Sequence, residues 1–133
     1  MKPVTIIEDE FAGLWYHPHS QVVHHKIRRF LPPGYFAQLL TLGAECLEQH
    51  GAQKWLSDDR DSVVVAQDDV GWCEKDWGPR VLEAGFEYWA IVAPTGEVAG
   101  RQKDTLVARY RQRGVTVRLF DPVEDALGWL ESA

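Results

Sequence analysis

Residues 88–120 read YWAIVAPTGEVAGRQKDTLVARYRQRGVTVRLF, and this stretch decides the fold class. Tyr88–Val92 is an unbroken apolar run, as expected of a strand covered on both faces. Pro94-Thr95-Gly96 turns the chain. A helix from about Val98 to Arg113 then buries Leu106, Val107 and Tyr110, and Gly114 stops it. Val115–Phe120 is the next strand. Strand, helix and strand in succession form the unit from which parallel sheets are built, with a right-handed crossover placing the helix against the sheet.

The same unit recurs upstream. Gln53–Leu56 reads as a short strand, and a long polar segment follows it. Asp68 or Asp69 caps a helix whose stripe is Val70, Cys73, Trp77, Val81 and Ala84, kinked at Gly78-Pro79 and ended by Gly85. Before it, Pro32-Pro33-Gly34 opens a helix with Phe36, Leu39, Leu40, Gly43, Cys46, Leu47 and His50 on one stripe. Gly43 lets that helix approach the sheet closely, and Gly51 ends it. Val4–Ile7, Leu14–Tyr16 and Gln21–Arg28 read as three strands. The last two are joined by a short turn at His17-Pro18-His19-Ser20, which favours antiparallel pairing. Downstream, Asp121 reads as an N-cap with Pro122 at N1 and Glu124 at N3, opening a final helix on Val123, Ala126, Leu127 and Leu130. The order is β-β-β-α-β-α-β-α-β-α. This is an α/β chain with a mixed sheet, antiparallel at its start and parallel thereafter.

Composition bounds the function classes. The chain has 133 residues and a net charge of −6, so a single domain over 1–133 is expected. The acidic balance argues against duplex nucleic acid, which requires a basic footprint. No apolar run approaches the roughly 18 residues of a membrane span. The apolar stretch at Val4–Ile7 is too short for a signal-peptide core. Cys46 and Cys73 lie on apolar helix stripes without C-x-x-C spacing, which implies packing and a reducing, cytoplasmic setting.

Four segments carry a resemblance: VVHH, KWLSDDR, W-x4-W-x-P-R and the closing A-L-G-W-L. With the element order, they resemble the STAS-like fold of bacterial anti-sigma-factor antagonists. More narrowly, they resemble small bacterial proteins grouped as STAS/Sec14-like, over roughly Phe11 to Leu130. The resemblance implies a regulatory or protein-interaction module, with no established enzyme activity. The phosphorylated serine loop of better-studied antagonists, D-S-[ST]-G, is absent. Ser57 and Ser62 fall in the corresponding region without that motif.

The residues suggest a surface independently. Ser57, Asp58, Asp59 and Arg60 follow a strand expected to be parallel, and ligands gather outside the carboxyl ends of such strands. Clustered carboxylates suit a hard cation such as Mg²⁺. The interleaved Arg60, however, favours pairing with a neighbouring carboxylate that ties the loop down. Trp72 points about 140° away from Trp77 on a regular helix, so it is expected to face solvent or this loop. Trp129 likewise flanks its stripe. His17, His19, His24 and His25 invite a metal. Yet His24 and His25 are adjacent in a strand and point to opposite faces, so neither a metal nor another cofactor is expected. Arg101, Lys103, Arg109, Arg111, Arg113 and Arg118 read mostly as the solvated face of a helix. Motifs for nucleophilic or nucleotide chemistry are absent, so no residue is assigned as catalytic.

The leading expectation is a module that presents residues 57–62 and the following helix to a protein partner. Homo-oligomerisation is a further possibility. The alternative is a small-molecule-binding protein or weak enzyme with a pocket around Asp58, Arg60 and Trp72.

Overall fold

The computed structural model describes residues 2–61, 65–92 and 97–133. Among them, six strands form one mixed sheet in the spatial order of the sequence: β1 Val4–Glu8, β2 Ala12–His17, β3 Val22–Ile27, β4 Lys54–Asp58, β5 Tyr88–Val92 and β6 Thr116–Phe120. β1–β2 and β2–β3 are antiparallel; β3–β4, β4–β5 and β5–β6 are parallel. The α/β class and element order therefore match the sequence reading. The turn expected at Pro94-Thr95-Gly96 and Ser62 lie outside the described residues.

Crossovers that all step the same way along a sheet bring their helices to one face. Helix α1 (Tyr35–His50), the helical segment over residues 67–83 and α4 (Glu97–Gln112) follow β3, β4 and β5 in turn. Leu39, Leu47, Cys73, Trp77, Val81, Val107 and Tyr110 from these helices share one core with Leu14, Val23, Trp55, Trp89, Ile91 and Val117 of the sheet. The last helix, α5 (Val123–Ser132), packs Ala126 and Leu130 on the other face against Val22, Leu56, Ala90 and Val92. Alternation along each strand assigns odd and even residues to the two cores. Thus Trp55 and Ser57 face the three helices, and Leu56 faces α5. No helix among the described residues is long and apolar enough to cross a membrane.

Gly43 makes the close approach expected of it. A Cβ built there would lie 2.2 Å from Cη2 of Trp55, whose side chain is buried. Gly43→Ala should therefore lower stability by about 1–3 kcal/mol through overpacking, read as a shift in denaturant midpoint. Gly51 ends α1 at φ 61°, with its N–H bonded to the carbonyls of Glu48 and Leu47.

Three local expectations are corrected. The second helical segment is capped by Ala66, with Asp68 and Asp69 inside its first turn. It runs as α2 (Gln67–Trp72), a π turn (Cys73–Trp77) and α3 (Gly78–Glu83). Pro79 lacks an N–H, and the wider π turn directly before it accommodates the interrupted hydrogen-bond ladder. At the start of α5 the capping position is Pro122, extended at φ −87° and ψ 145°, with no side-chain cap bond. Asp121 is thus one residue too early to cap. Asp121→Ala should change the denaturant midpoint by less than the equivalent of about 0.5 kcal/mol.

Candidate functional site

The site is built on the helix-covered face, against the carboxyl-terminal halves of β3 and β4. His25 and Ser57 are register partners on these strands. Both are buried, at 5% and 2% exposure. Asp59 follows directly after β4 and is 1% exposed; its N–H donates to the carbonyl of Val92 at 2.9 Å. Lys103 reaches the same point from α4.

His25, Asp59 and Lys103 are linked with Trp55 by hydrogen bonds and an ion pair, and Ser57 bonds separately to Trp89. Trp55 Nε1–H donates to His25 Nδ1 at 2.9 Å, and His25 Nε2 lies 3.0 Å from Asp59 Oδ1. An indole nitrogen can only donate, so Nδ1 carries the lone pair. The proton is then on Nε2 and is donated to Asp59. Asp59 Oδ2 lies 2.6 Å from Lys103 Nζ, an ion-pair contact without the alignment of a hydrogen bond. Burial pushes the Asp59 carboxyl up. The Lys103 ammonium and then the His25 bond outweigh it and hold the group well below the usual carboxylate range. Trp89 Nε1–H donates to Ser57 Oγ at 2.8 Å, and the Lys103 ammonium sits 5.5 Å from the centroid of the Trp89 ring.

Above this network is a cavity of about 280 Å³. Its walls are aromatic: Trp55, Trp77, Phe86, Trp89 and Tyr110 meet edge to face around it. Trp77 is held by its own Nε1–H to the carbonyl of Leu40 at 2.8 Å. Val65, Val70, Glu74, Gln102 and Arg109 also line it. Gln102 clamps Val65 through two 3.1 Å bonds: its Oε1 accepts from the Val65 N–H, and its Nε2 donates to the Val65 carbonyl. Glu74 and Arg109 pair with each other, both partly exposed.

The wiring restricts the chemistry. Ser57, His25 and Asp59 have the composition of a hydrolytic triad. The His25 nitrogen that would activate a serine is instead occupied by Trp55, so His25 is not available as a general base in this arrangement. Burial pushes the Cys73 thiol up to about 12, which removes it as a nucleophile near neutral pH. The arrangement suits reversible binding better than covalent catalysis.

Of the sequence-selected residues, the structure brings Ser57 and Asp59 to the cavity. Asp58, Arg60 and Trp72 do not line it. Ser57 and Asp58 belong to β4, not to a loop, so strand alternation sends Asp58 to the opposite face. There Lys26 Nζ lies 3.9 Å from its Oδ2. Arg60 is exposed, and its guanidinium donates to the main-chain carbonyl of Asp121 at 3.1 Å, not to a carboxylate. Trp72 is half-buried against the core, not facing solvent. The π turn that starts at the next residue adds to the turn and removes the regular 100° step on which its orientation was argued. Trp129 is also half-buried, in contact with Tyr88 and Phe120 and beneath the Arg118 guanidinium.

Lys103 was submerged in a basic run, although Lys103, Leu106 and Tyr110 share one stripe of α4 at i, i+3 and i+7. Its buried partner, Asp59, lies on another element. Trp55 and Trp89 were legible as alternating strand residues, but their donor roles were not.

The other face carries the remaining histidines. His17 Nε2 lies 3.1 Å from His24 Nδ1, and His24 packs beside Trp15. His24 and His25 thus point to opposite faces, as strand geometry requires. Among the described residues, no three His, Cys, Asp or Glu side chains cluster as a metal site would need. Burial is the main cause that lowers His24 to about 3. The unfolded chain has an ordinary histidine near 6.5 and takes up the proton first as pH falls. Stability should therefore drop between about pH 6.5 and 3, by at most about 1.4 kcal/mol per pH unit from this group. Denaturant midpoints at pH 7 and 5 should differ less in His24→Phe than in the parent.

No protein-family model matches this chain, and neither the curated proteins nor the solved structures provide a match.

Proposed function

We propose that this chain is a small-molecule-binding protein whose site is the cavity between the sheet and helices α1 to α4. The observation that carries the reading is the joining of an aromatic-walled cavity to the Lys103–Asp59–His25–Trp55 network of hydrogen bonds and one ion pair. Concave, mostly apolar pockets with a few converging polar groups are the usual form of ligand sites. Buried polar networks are costly where a member lacks a hydrogen-bond partner, as Asp59 Oδ2 does among the described residues.

The test is ligand-observed NMR against a library of ring-bearing fragments, with Val70→Trp to fill the rim. Binding in the parent, lost in Val70→Trp with an unchanged far-UV spectrum, supports the reading. Absence of any binder at millimolar concentration, or binding indifferent to Val70→Trp, contradicts it.

The regulatory role implied by the STAS-like resemblance is compatible with this site. Arg60 is exposed immediately after the buried Asp59, so one peptide unit separates the cavity from a surface a protein partner could read. Occupancy would then be the regulatory signal. A cytoplasmic setting suits both Cys46 and Cys73, which are free and buried.

A further inference from the structure

The charges around the cavity narrow the chemistry of its ligand, and the inference rests on the binding reading above. Among the described residues, the charged side chains lining it are Asp59, Glu74, Lys103 and Arg109. They cancel in two pairs: Lys103 Nζ lies 2.6 Å from Asp59 Oδ2, and Arg109 pairs with Glu74. His25 adds no charge, because its Nδ1 accepts from Trp55 and its Nε2–H is given to Asp59. A ligand entering with a full charge would lose its hydration and find no uncompensated opposite charge.

Hydrogen-bonding capacity remains. An ammonium has three donors and a serine hydroxyl one. Lys103 holds Asp59 by an ion-pair contact that uses no aligned donor, and Ser57 Oγ accepts from Trp89 while its own hydrogen is still to be given. The lining also carries the rings of Trp55, Trp77, Phe86, Trp89 and Tyr110, which reward an aromatic or similarly flat apolar body.

We infer that the cavity selects uncharged, ring-bearing molecules carrying one small hydrogen-bonding group, and rejects carboxylates and ammonium ions of the same size. The polar group is expected at the Lys103–Ser57 end and the ring among Trp55, Trp77 and Tyr110.

Isothermal titration of the full chain at pH 7 with p-cresol, indole, benzoate, benzylammonium and toluene tests this. The expected result is p-cresol and indole binding at least ten-fold tighter than either ion, with toluene weaker than p-cresol. Benzoate or benzylammonium binding as tightly as p-cresol overturns the selectivity and leaves the cavity as a ligand site. No binding by any of the five overturns both readings.

Lys103→Met supplies a second arm, because it leaves Asp59 without its counter-ion. Benzylammonium should then gain at least ten-fold relative to p-cresol, and unchanged selectivity would contradict the charge-cancellation argument. The parent comparison decides the matter even where that variant does not fold.

Discussion

Asp59→Ala is expected to cost roughly 3–5 kcal/mol of folding stability, the range for breaking a buried ion pair by removing one partner. Asp59 is 1% exposed and accepts from His25 while balancing Lys103. Its removal leaves the His25 Nε2–H without an acceptor and the ammonium without a counter-charge. Lys103 is itself 19% exposed and recovers some hydration, which favours the lower end of the range. Asp59→Leu combined with Lys103→Met removes both charges and should recover much of the loss, because a hydrophobic replacement of an entire buried pair is often neutral.

The dependence on pH has a definite sign. The folded carboxyl is held below its unfolded value of about 3.9, so its contribution is complete above that value and fades as pH falls further. Parent and Asp59→Ala should therefore converge in stability below about pH 4. A loss under about 1 kcal/mol at pH 7 would mean that Asp59 is solvated and that the network is not load-sharing.

The second large effect belongs to Trp55. This side chain is 1% exposed, lies against Gly43, meets Trp77 and Phe86 edge to face, and donates to His25. Trp55→Ala should cost about 3–5 kcal/mol, as large aromatic truncations in cores do. Trp55→Phe keeps most of the packing but strands His25 Nδ1 without its donor, at a cost of about 1–3 kcal/mol. Equal stability of parent and Trp55→Phe would contradict the tautomer assigned here.

Much of this architecture was written in local pattern. The unbroken apolar run at Tyr88–Val92, the glycine stops at Gly51 and Gly114, and the 3.6-residue stripe of α1 each report on their own segment. The site was less legible because its partners come from four elements. Asp59 and Lys103 are far apart in sequence, and nothing local to either announces the other. Reading residues 57–60 as loop also hid the alternation that turns Asp58 away from Asp59; extending the strand by two residues would have separated them. Trp72 escaped because one π turn alters the angular step, and that turn has no periodic signature. At Asp121, a capping-box pattern was present but the extended Pro122 shifted the start of the helix beyond its reach.

If the cavity beneath α1 to α4 receives the ligand proposed for it, the six tryptophans report it directly. Trp55, Trp77 and Trp89 line the cavity; Trp15 and Trp129 lie toward the opposite face of the sheet, and Trp72 does not line it. Titrating p-cresol into ¹⁵N-labelled protein while following the indole N–H signals tests the claim residue by residue. Saturable shifts at Trp55, Trp77 and Trp89, with Trp15 and Trp129 unmoved, are the predicted result. Shifts confined to Trp15 or Trp129, or none at saturating p-cresol, would contradict it.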